Sequence, residues 1–207
     1  LPVGPISGPG VVCAGSTITL TDPTVGGTWV SSTPGVATVG ATTGVVTGMS
    51  SGVATITYEV NYSCGMLYSI HAVTVNATPA PITPSSASIC LGSAQTFTDA
   101  TSGGTWTMAN SNATNAGGVV TGAIVGLDTV IYTISGCTAT APVTVVTSPA
   151  AISPATASVC TGNTALFSDI TGGGTWSVTN SHGSMAGGTF TGISAGQDTV
   201  VYSVGSC

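Results

Sequence analysis

The sequence "CAGSTITLTDPTVGGTW" at residues 13–29 is one of three related versions of the same stretch in this chain. The other two versions are "CLGSAQTFTDATSGGTW" at 90–106 and "CTGNTALFSDITGGGTW" at 160–176. The interval from the Cys to the Trp is identical in all three, and within it an apolar residue and an Asp recur at fixed positions. These are Leu20 and Asp22, Phe97 and Asp99, and Phe167 and Asp169. Agreement at so many independent positions indicates internal duplication.

The same frame continues to the end of each repeat. The interval from Trp29 to Trp106 is slightly longer than that from Trp106 to Trp176. Late in each repeat a Tyr is followed by a second Cys, at Tyr58 and Cys64, Tyr132 and Cys137, and Tyr202 and Cys207. We therefore predict three small modules, with boundaries at 1–78, 79–148 and 149–207.

Two proline-rich stretches separate the modules, "NATPAPITPSS" at 76–86 and "TSPAAISPAT" at 147–156. Proline fixes φ and favours extended backbone, so such linkers behave as semi-rigid spacers. They predict a rod of modules with limited bending.

Within a module, apolar and polar residues alternate with period two, as in "GVATITYEV" at 52–60 and "YSIHAVTV" at 68–75. Pairs of glycines punctuate these runs, as tight turns require. No window has a helical period, so the sequence predicts an all-β chain of sandwich modules. Trp29, Trp106 and Trp176 are the predicted core anchors, each packed against the central cysteines of its module.

The third module lacks one feature of the others. In the first two, the second Cys is followed by a further alternating stretch, "SIHAVTV" or "APVTVVT", whereas the sequence stops at Cys207. Two explanations stay open: the segment belongs to a longer array, or a neighbouring chain supplies the final strand by β-augmentation.

The stretch "GVATVGATTGVVTGMSSGVATITY" at 35–58 closely resembles the bacterial immunoglobulin-like group 2 domain. The later modules keep "GGVVTG" at 117–122 and "GGTFTG" at 187–192. The fuller pattern, Cys then "GGTW" then Cys, is similar to that of giant repetitive surface proteins of Bacteroidota, some of them gliding adhesins. The resemblance implies immunoglobulin-like sandwiches. It is suggestive only of a role, since such domains occur in adhesins, stalks and enzyme appendages alike.

Six cysteines permit fifteen pairings. The repeat favours one disulfide inside each module: Cys13 with Cys64, Cys90 with Cys137, and Cys160 with Cys207. Each loop would stabilise its module by roughly 4 kcal/mol in the chain-entropy model. Disulfides imply a secreted, extracellular or cell-surface protein. Metal ligation is the alternative, but the spacing lacks a C-x-x-C knuckle, so we expect no metal site.

The chain contains no Lys or Arg and six Asp or Glu, with a formal net charge of −6. Without basic side chains it has nothing with which to neutralise phosphates, so nucleic acid is not an expected partner. The mean hydropathy is +0.53, but the apolar residues are interrupted every second or third position. No apolar run of about 18 residues exists, so we expect no membrane insertion by a helix.

The residues that catalysis needs are scarce. The carboxylates recur at equivalent positions, namely Asp22, Asp99 and Asp169, then Asp128 and Asp198, with Glu59 alone. We expect these Asp side chains to bind turn amides, with a weaker alternative of calcium at the module junctions. His71 and His182 have no counterparts in the other modules and no triad partners. The sequence therefore predicts no catalytic residues and no cofactor.

Glycosylation is the remaining candidate chemistry. Asn61, Asn76 and Asn112 begin N-x-S/T sequences. Thr129 and Thr199 lie in "DTV", which resembles the Asp-Thr-aliphatic O-glycosylation motif of Bacteroidota. The alternative is a plain strand Thr.

These features favour a non-enzymatic, extracellular structural repeat protein that self-associates into a filament, stalk or adhesin. Its external partners would be glycans or a host or cell surface. The alternative is an array of carbohydrate-binding modules attached to a secreted enzyme, which would expose aromatic platforms. Its tryptophan fluorescence would then respond to glycans.

Overall fold

Residues 2–207 are described by the computed structural model, and every regular element in this range is a β-strand. No helix in the same range is long and apolar enough to cross a membrane. The first repeat contains β1 (Val11–Cys13), β2 (Thr17–Thr19), β3 (Thr28–Ser31), β4 (Ala37–Val39), β5 (Val45–Gly48), β6 (Gly52–Tyr62) and β7 (Gly65–Asn76). The second contains β8 (Ala87–Cys90), β9 (Ala94–Thr96), β10 (Thr105–Met108), β11 (Ala113–Ala116), β12 (Val119–Gly122), β13 (Gly126–Ile134) and β14 (Cys137–Val146). The third contains β15 (Thr164–Leu166), β16 (Thr175–Val178), β17 (Gly183–Ala186), β18 (Thr189–Gly192) and β19 (Val200–Ser203).

The two sheets of the first repeat share one apolar core. One sheet has the order β1-β7-β6-β3, with β1 parallel to β7, and the other has the order β2-β5-β4. The period-two pattern of β6 turns Ile56 inward, where it meets Val73 of the same sheet and Val46 of the other. All three side chains are fully buried, and each burial stabilises the fold by about 1.5–3 kcal/mol. The predicted all-β, immunoglobulin-like sandwich class is therefore confirmed.

The second repeat has the same strand order, β8-β14-β13-β10 in one sheet and β9-β12-β11 in the other. Strand β8 is parallel to β14, as β1 is to β7. Phe97, Val120, Val143 and Val145 are among its most deeply buried apolar residues. The duplicated sequence thus produces a duplicated topology.

The third repeat has five strands within the described residues, in sheets of order β15-β18-β17 and β16-β19. Residues 157–160, which are equivalent to β8, form no strand, and no strand follows β19. Phe167 is the large apolar residue that this repeat buries within the described range. An open groove of about 730 Å³ lies beside it, lined among others by Phe190 and Val200. The third repeat thus has no counterpart of β7 and β14 within the described residues, as its sequence predicts. Both explanations of this missing last strand stay predictions.

Two compact units make up the chain, and their limits do not coincide with the predicted module boundaries. The first unit consists of the residues up to Ile82, Asp99–Thr105 and Ile131–Thr140. The second consists of Thr83–Thr98, Trp106–Val130 and Ala141–Cys207. Each unit therefore contains segments of more than one repeat, and the boundaries 1–78, 79–148 and 149–207 stay predictions.

Candidate functional site: the inter-repeat junctions

The "GGTW" tetrapeptide is explained by a tyrosine that packs beneath it. Gly26 has φ +83°, a conformation that favours glycine. A Cβ on Gly27 would lie 2.5 Å from Tyr58 Cζ, so the second position has room only for hydrogen. The Gly27 N–H donates to Tyr58 Oη at 2.9 Å, and that hydroxyl donates to Thr24 O at 2.7 Å. The two glycines therefore have different roles.

The same hydrogen bonds occur in the other repeats. Gly104 N–H donates to the hydroxyl of Tyr132, and Gly174 N–H donates to that of Tyr202. In all three repeats the amide two residues after the first recurring Asp donates to its Oδ1, at Asp22, Asp99 and Asp169. The second oxygen of each of these carboxylates is buried without a hydrogen-bond partner. These carboxylates organise turns, as the sequence predicts.

Trp29 is a core residue, 7% exposed, and its ring lies 4.7 Å from that of Tyr58. Trp176 packs in the same way on Tyr202, at 4.6 Å, but is half-buried. Trp106 is also half-buried. Strand pairing places the Tyr beside the Trp in both repeats, and packing of each Trp against the central cysteines stays a prediction.

The disulfides join successive repeats. Cys13 is bonded to Cys137, and Cys90 is bonded to Cys207. Cys64 and Cys160 are free and exposed. The predicted pairs Cys13–Cys64, Cys90–Cys137 and Cys160–Cys207 are therefore wrong.

Strand direction explains why a repeat cannot close on itself. Cys13 ends β1 and lies beside Asn76, the last residue of the parallel strand β7. Cys64 precedes the first residue of β7, and this 12-residue strand spans about 40 Å. A disulfide needs Cα atoms about 4.4–6.8 Å apart. In the first repeat, the first Cys therefore lies at the opposite end of the last strand from the second Cys.

The first junction is formed by the end of β1 and the tip of the β13–β14 hairpin. Ser135 and Gly136 form the two-residue turn of this hairpin, with φ values of +52° and +81°, as a type I′ turn requires. Asn76 Nδ2 donates to Ser135 O at 2.6 Å. Cys137, the first residue after the turn, is 1% exposed. This junction therefore combines a disulfide with a direct hydrogen bond, beside the linker that already connects the two repeats.

The second junction also has a disulfide whose second Cys lies at a turn. Cys90 ends β8, and Cys207 closes a turn in which its N–H and that of Val204 donate to each other's carbonyl oxygens at 3.0 and 2.7 Å. Ser148 Oγ, in the following linker, donates to Leu91 O at 2.8 Å. The pairing rule is thus the same twice: the first Cys of one repeat bonds to the second Cys of the next.

The remaining ionisable residues within the described range include two with buried side-chain atoms, Asp128 and His71. Asp128, 3% exposed, accepts hydrogen bonds from the amides of Asn110, Ala113 and Thr129. Within residues 2–207, no three His, Cys, Asp or Glu side chains are grouped as metal ligands. His71 Nε2 is buried with no hydrogen-bond partner.

His182 Nδ1 lies 3.0 Å from Ser194 Oγ. The carboxylate oxygens of Asp198 accept from the amides of Asn180 and Gly183.

The predicted glycosylation residues differ in access. Asn61 and Thr199 are exposed, and Thr129 is half-buried. Asn76 and Asn112 are half-buried, and the side-chain nitrogen to which a glycan would attach donates to Ser135 O in one and to Leu127 O in the other. Asn61 and Thr199 are therefore the most accessible candidates.

No protein-family profile and no curated protein matches this chain. Among solved structures it is similar to domains 4 and 5 of the S-layer protein SbsC, with 18% identity, a TM-score of 0.32, and coverage of 70% of this chain and 100% of that one. It is also similar to Drosophila N-cadherin EC1-4, with 13% identity, a TM-score of 0.30, and coverage of 88% and 63%.

The insect immune protein hemolin is a third similar structure, with 15% identity, a TM-score of 0.31, and coverage of 70% of this chain and 47% of that one. Against the longer S-layer fragment rSbsC(31-844), this chain spans 33% of the length. At these TM-scores the likenesses carry no argument beyond the fold that the strands themselves define.

Proposed function

We propose that this chain is a non-enzymatic, extracellular structural protein whose repeats form part of a surface filament, stalk or adhesin. The observation that supports this proposal is that both disulfides connect successive repeats. A disulfide inside a repeat would stabilise only that repeat, whereas one across a junction gives each neighbouring pair two covalent connections. That arrangement suits a protein that carries load along its length.

The path of an applied force supports the same proposal. Tension applied at the two ends reaches Cys13, crosses to Cys137, and then passes to Cys207 either directly or through Cys90. The segment from residue 14 to residue 89 lies outside the shortest covalent path. Strands β2 to β7 of the first repeat are therefore off this path and can stay folded while the disulfides carry the tension.

The disulfides also support an oxidising, extracellular location. With no Lys or Arg and a net charge of −6, contacts between copies would depend on Thr and Ser hydroxyls and on strand edges rather than ion pairs. Self-association is therefore the proposed partnership, with glycans or a cell surface as external partners.

The carbohydrate-binding alternative needs exposed aromatic platforms. Trp29 is 7% exposed and packed on Tyr58, and Trp176 is packed on Tyr202. These rings are engaged within their own repeats, which favours the structural proposal. An enzymatic role is disfavoured because Asp128 and Asp198 are occupied by backbone amides.

Electron microscopy of the oxidised chain tests the proposal. We expect end-to-end filaments from the wild-type chain, and fewer and shorter filaments from a Cys13→Ser/Cys137→Ser variant, which lacks one junction disulfide. Dispersed single particles from the wild-type chain at all concentrations would contradict the proposal. Quenching of tryptophan fluorescence by glycans would favour the carbohydrate-binding alternative.

A further inference from the structure

Two thiols in this chain match bonded cysteines elsewhere in it. Cys64 is the second Cys of its repeat, like Cys137, and Cys160 is the first Cys of its repeat, like Cys13. Both are exposed and unbonded. We propose that Cys160 of one copy and Cys64 of a second copy form a disulfide that follows the same pairing rule, so that copies are joined covalently head to tail. This inference rests on the proposed function, whose filaments it would reinforce.

The pairing rule gives the direction of this bond. In both observed bonds, the first Cys of one repeat pairs with the second Cys of the following repeat. Cys160 therefore requires a second-type Cys, and Cys64 requires a first-type Cys. One free thiol of each type is present, which is the complement that a second copy needs.

The hairpin that presents Cys64 also has an apolar face that its counterpart lacks. Met66, Tyr68 and Ile70 lie on the outward side of β7 and are 52–63% exposed. In the register of the two sheets their equivalents are residues 136, 138 and 140, which are Gly, Thr and Thr. Three large apolar side chains exposed side by side on one face of a strand indicate an interaction surface. We assign it to the docking of the second copy beside Cys64.

The covalent step balances as thiol–disulfide exchange with a small-molecule disulfide of the oxidised-glutathione class. The Cys160 thiolate attacks one sulfur of that disulfide and releases one small thiolate. The Cys64 thiolate of the second copy then attacks Cys160 Sγ and releases the other. Two protein thiols are oxidised to one protein disulfide, and the small disulfide is reduced to two thiols, which take up the two protons.

Two single variants test the bond. Cys64→Ser retains the thiol of Cys160, and Cys160→Ser retains that of Cys64. With oxidised glutathione, the wild-type chain should give a ladder of covalent oligomers on a non-reducing gel, and neither variant alone should pass beyond a dimer. An equimolar mixture of the two should cross-link about tenfold faster than either alone, because docking raises the effective thiol concentration.

The product identifies the bond. Mass spectrometry of the mixed dimer should find Cys64 and Cys160 in one linked pair of peptides, with cleavage at Asp because trypsin has no site. A mixture that reacts no faster than its components would overturn the proposal, since the thiols would then meet at random. Adding Tyr68→Ser and Ile70→Ser to the Cys160→Ser chain should slow the reaction severalfold, and an unchanged rate would overturn the assigned docking surface.

Electron microscopy of a Cys64→Ser/Cys160→Ser chain separates this inference from the proposed function. In the wild-type chain, filaments without a covalent ladder would overturn this inference and leave the proposed function standing. A ladder without filaments would support the bond and overturn the proposed function. Filaments of the double variant that dissociate on dilution, beside wild-type filaments that persist, would support both.

Discussion

Stretching the chain between its two ends measures the disulfide pattern directly. The protein to use is the Cys64→Ser/Cys160→Ser variant, which keeps both observed disulfides and has no free thiol to join copies. Handles at the two ends are pulled in an optical trap or atomic force microscope until every repeat has unfolded. The quantity measured is the final contour length, with and without a reducing agent.

The structure sets the expected lengths. The shortest covalent path runs from the first residue to Cys13, across to Cys137, back along the backbone to Cys90, and across to Cys207. This path contains about 60 residue steps, and at roughly 3.5 Å each its limit is about 200 Å. After reduction, all of the 207 residues contribute, and the limit rises to about 700 Å.

Disulfides inside each repeat would give a different value. In the same variant only Cys90–Cys137 would then remain, and about 160 residue steps would extend to about 550 Å. A limit near this intermediate length under oxidising conditions would therefore refute the inter-repeat pairing. The full length of the reduced chain, reached without any reducing agent, would refute both pairings.

Three further predictions concern the repeat and its surface. Gly27→Ala should lower the free energy of unfolding by about 3 kcal/mol because the new methyl group overlaps Tyr58. Gly26 has open space around it, so Gly26→Ala should lower the free energy of unfolding by only about 1 kcal/mol, through left-handed backbone strain. Equal losses for the two variants in urea denaturation would contradict the different roles assigned to the two glycines. Asp128→Ala should lower the free energy of unfolding by about 3 kcal/mol, because it leaves buried amides such as that of Ala113 unpaired. A loss below about 0.5 kcal/mol in urea denaturation would show that these hydrogen bonds contribute little. Filaments followed by light scattering should persist from low salt to about 1 M NaCl, because a chain without Lys or Arg has no ion pairs of its own to screen; dissolution in salt would contradict a contact made of hydroxyls and strand edges.

The period-two patterns were sufficient to predict the fold class. Residues such as Ile56 and Val73 point into the core of the sandwich. Because apolar and polar residues alternate along their strands, the sequence itself indicates which side chains face the core. The turn role of Asp22 was also predictable, because Asp at such positions binds the amide two residues later. Both features are determined by residues that are close together in the sequence, so they could be predicted without knowing which strands pair.

The disulfide pairing was not predictable from spacing, because it depends on strand direction. The sequence shows that each repeat has two cysteines, but not that β1 runs parallel to β7. Once that pairing is known, the bond inside a repeat is excluded by the length of β7. A usable signal was present: Cys64 and Cys137 each stand at the start of a long strand, which separates them from the linker that follows.

The repeated residues divide into two sets with different roles. The Gly-Gly pair, Tyr58 and Asp22 make their hydrogen bonds within their own repeat, and their counterparts make the same bonds in the others. The disulfide between Cys13 and Cys137 instead joins two repeats, and Asn76 donates across the same junction. A domain that needed disulfides for its own stability would place them across its own core. Here the core is stabilised by Trp–Tyr packing and hydrogen bonds, and the covalent links lie where one repeat meets the next, which is where a load-bearing array would otherwise separate.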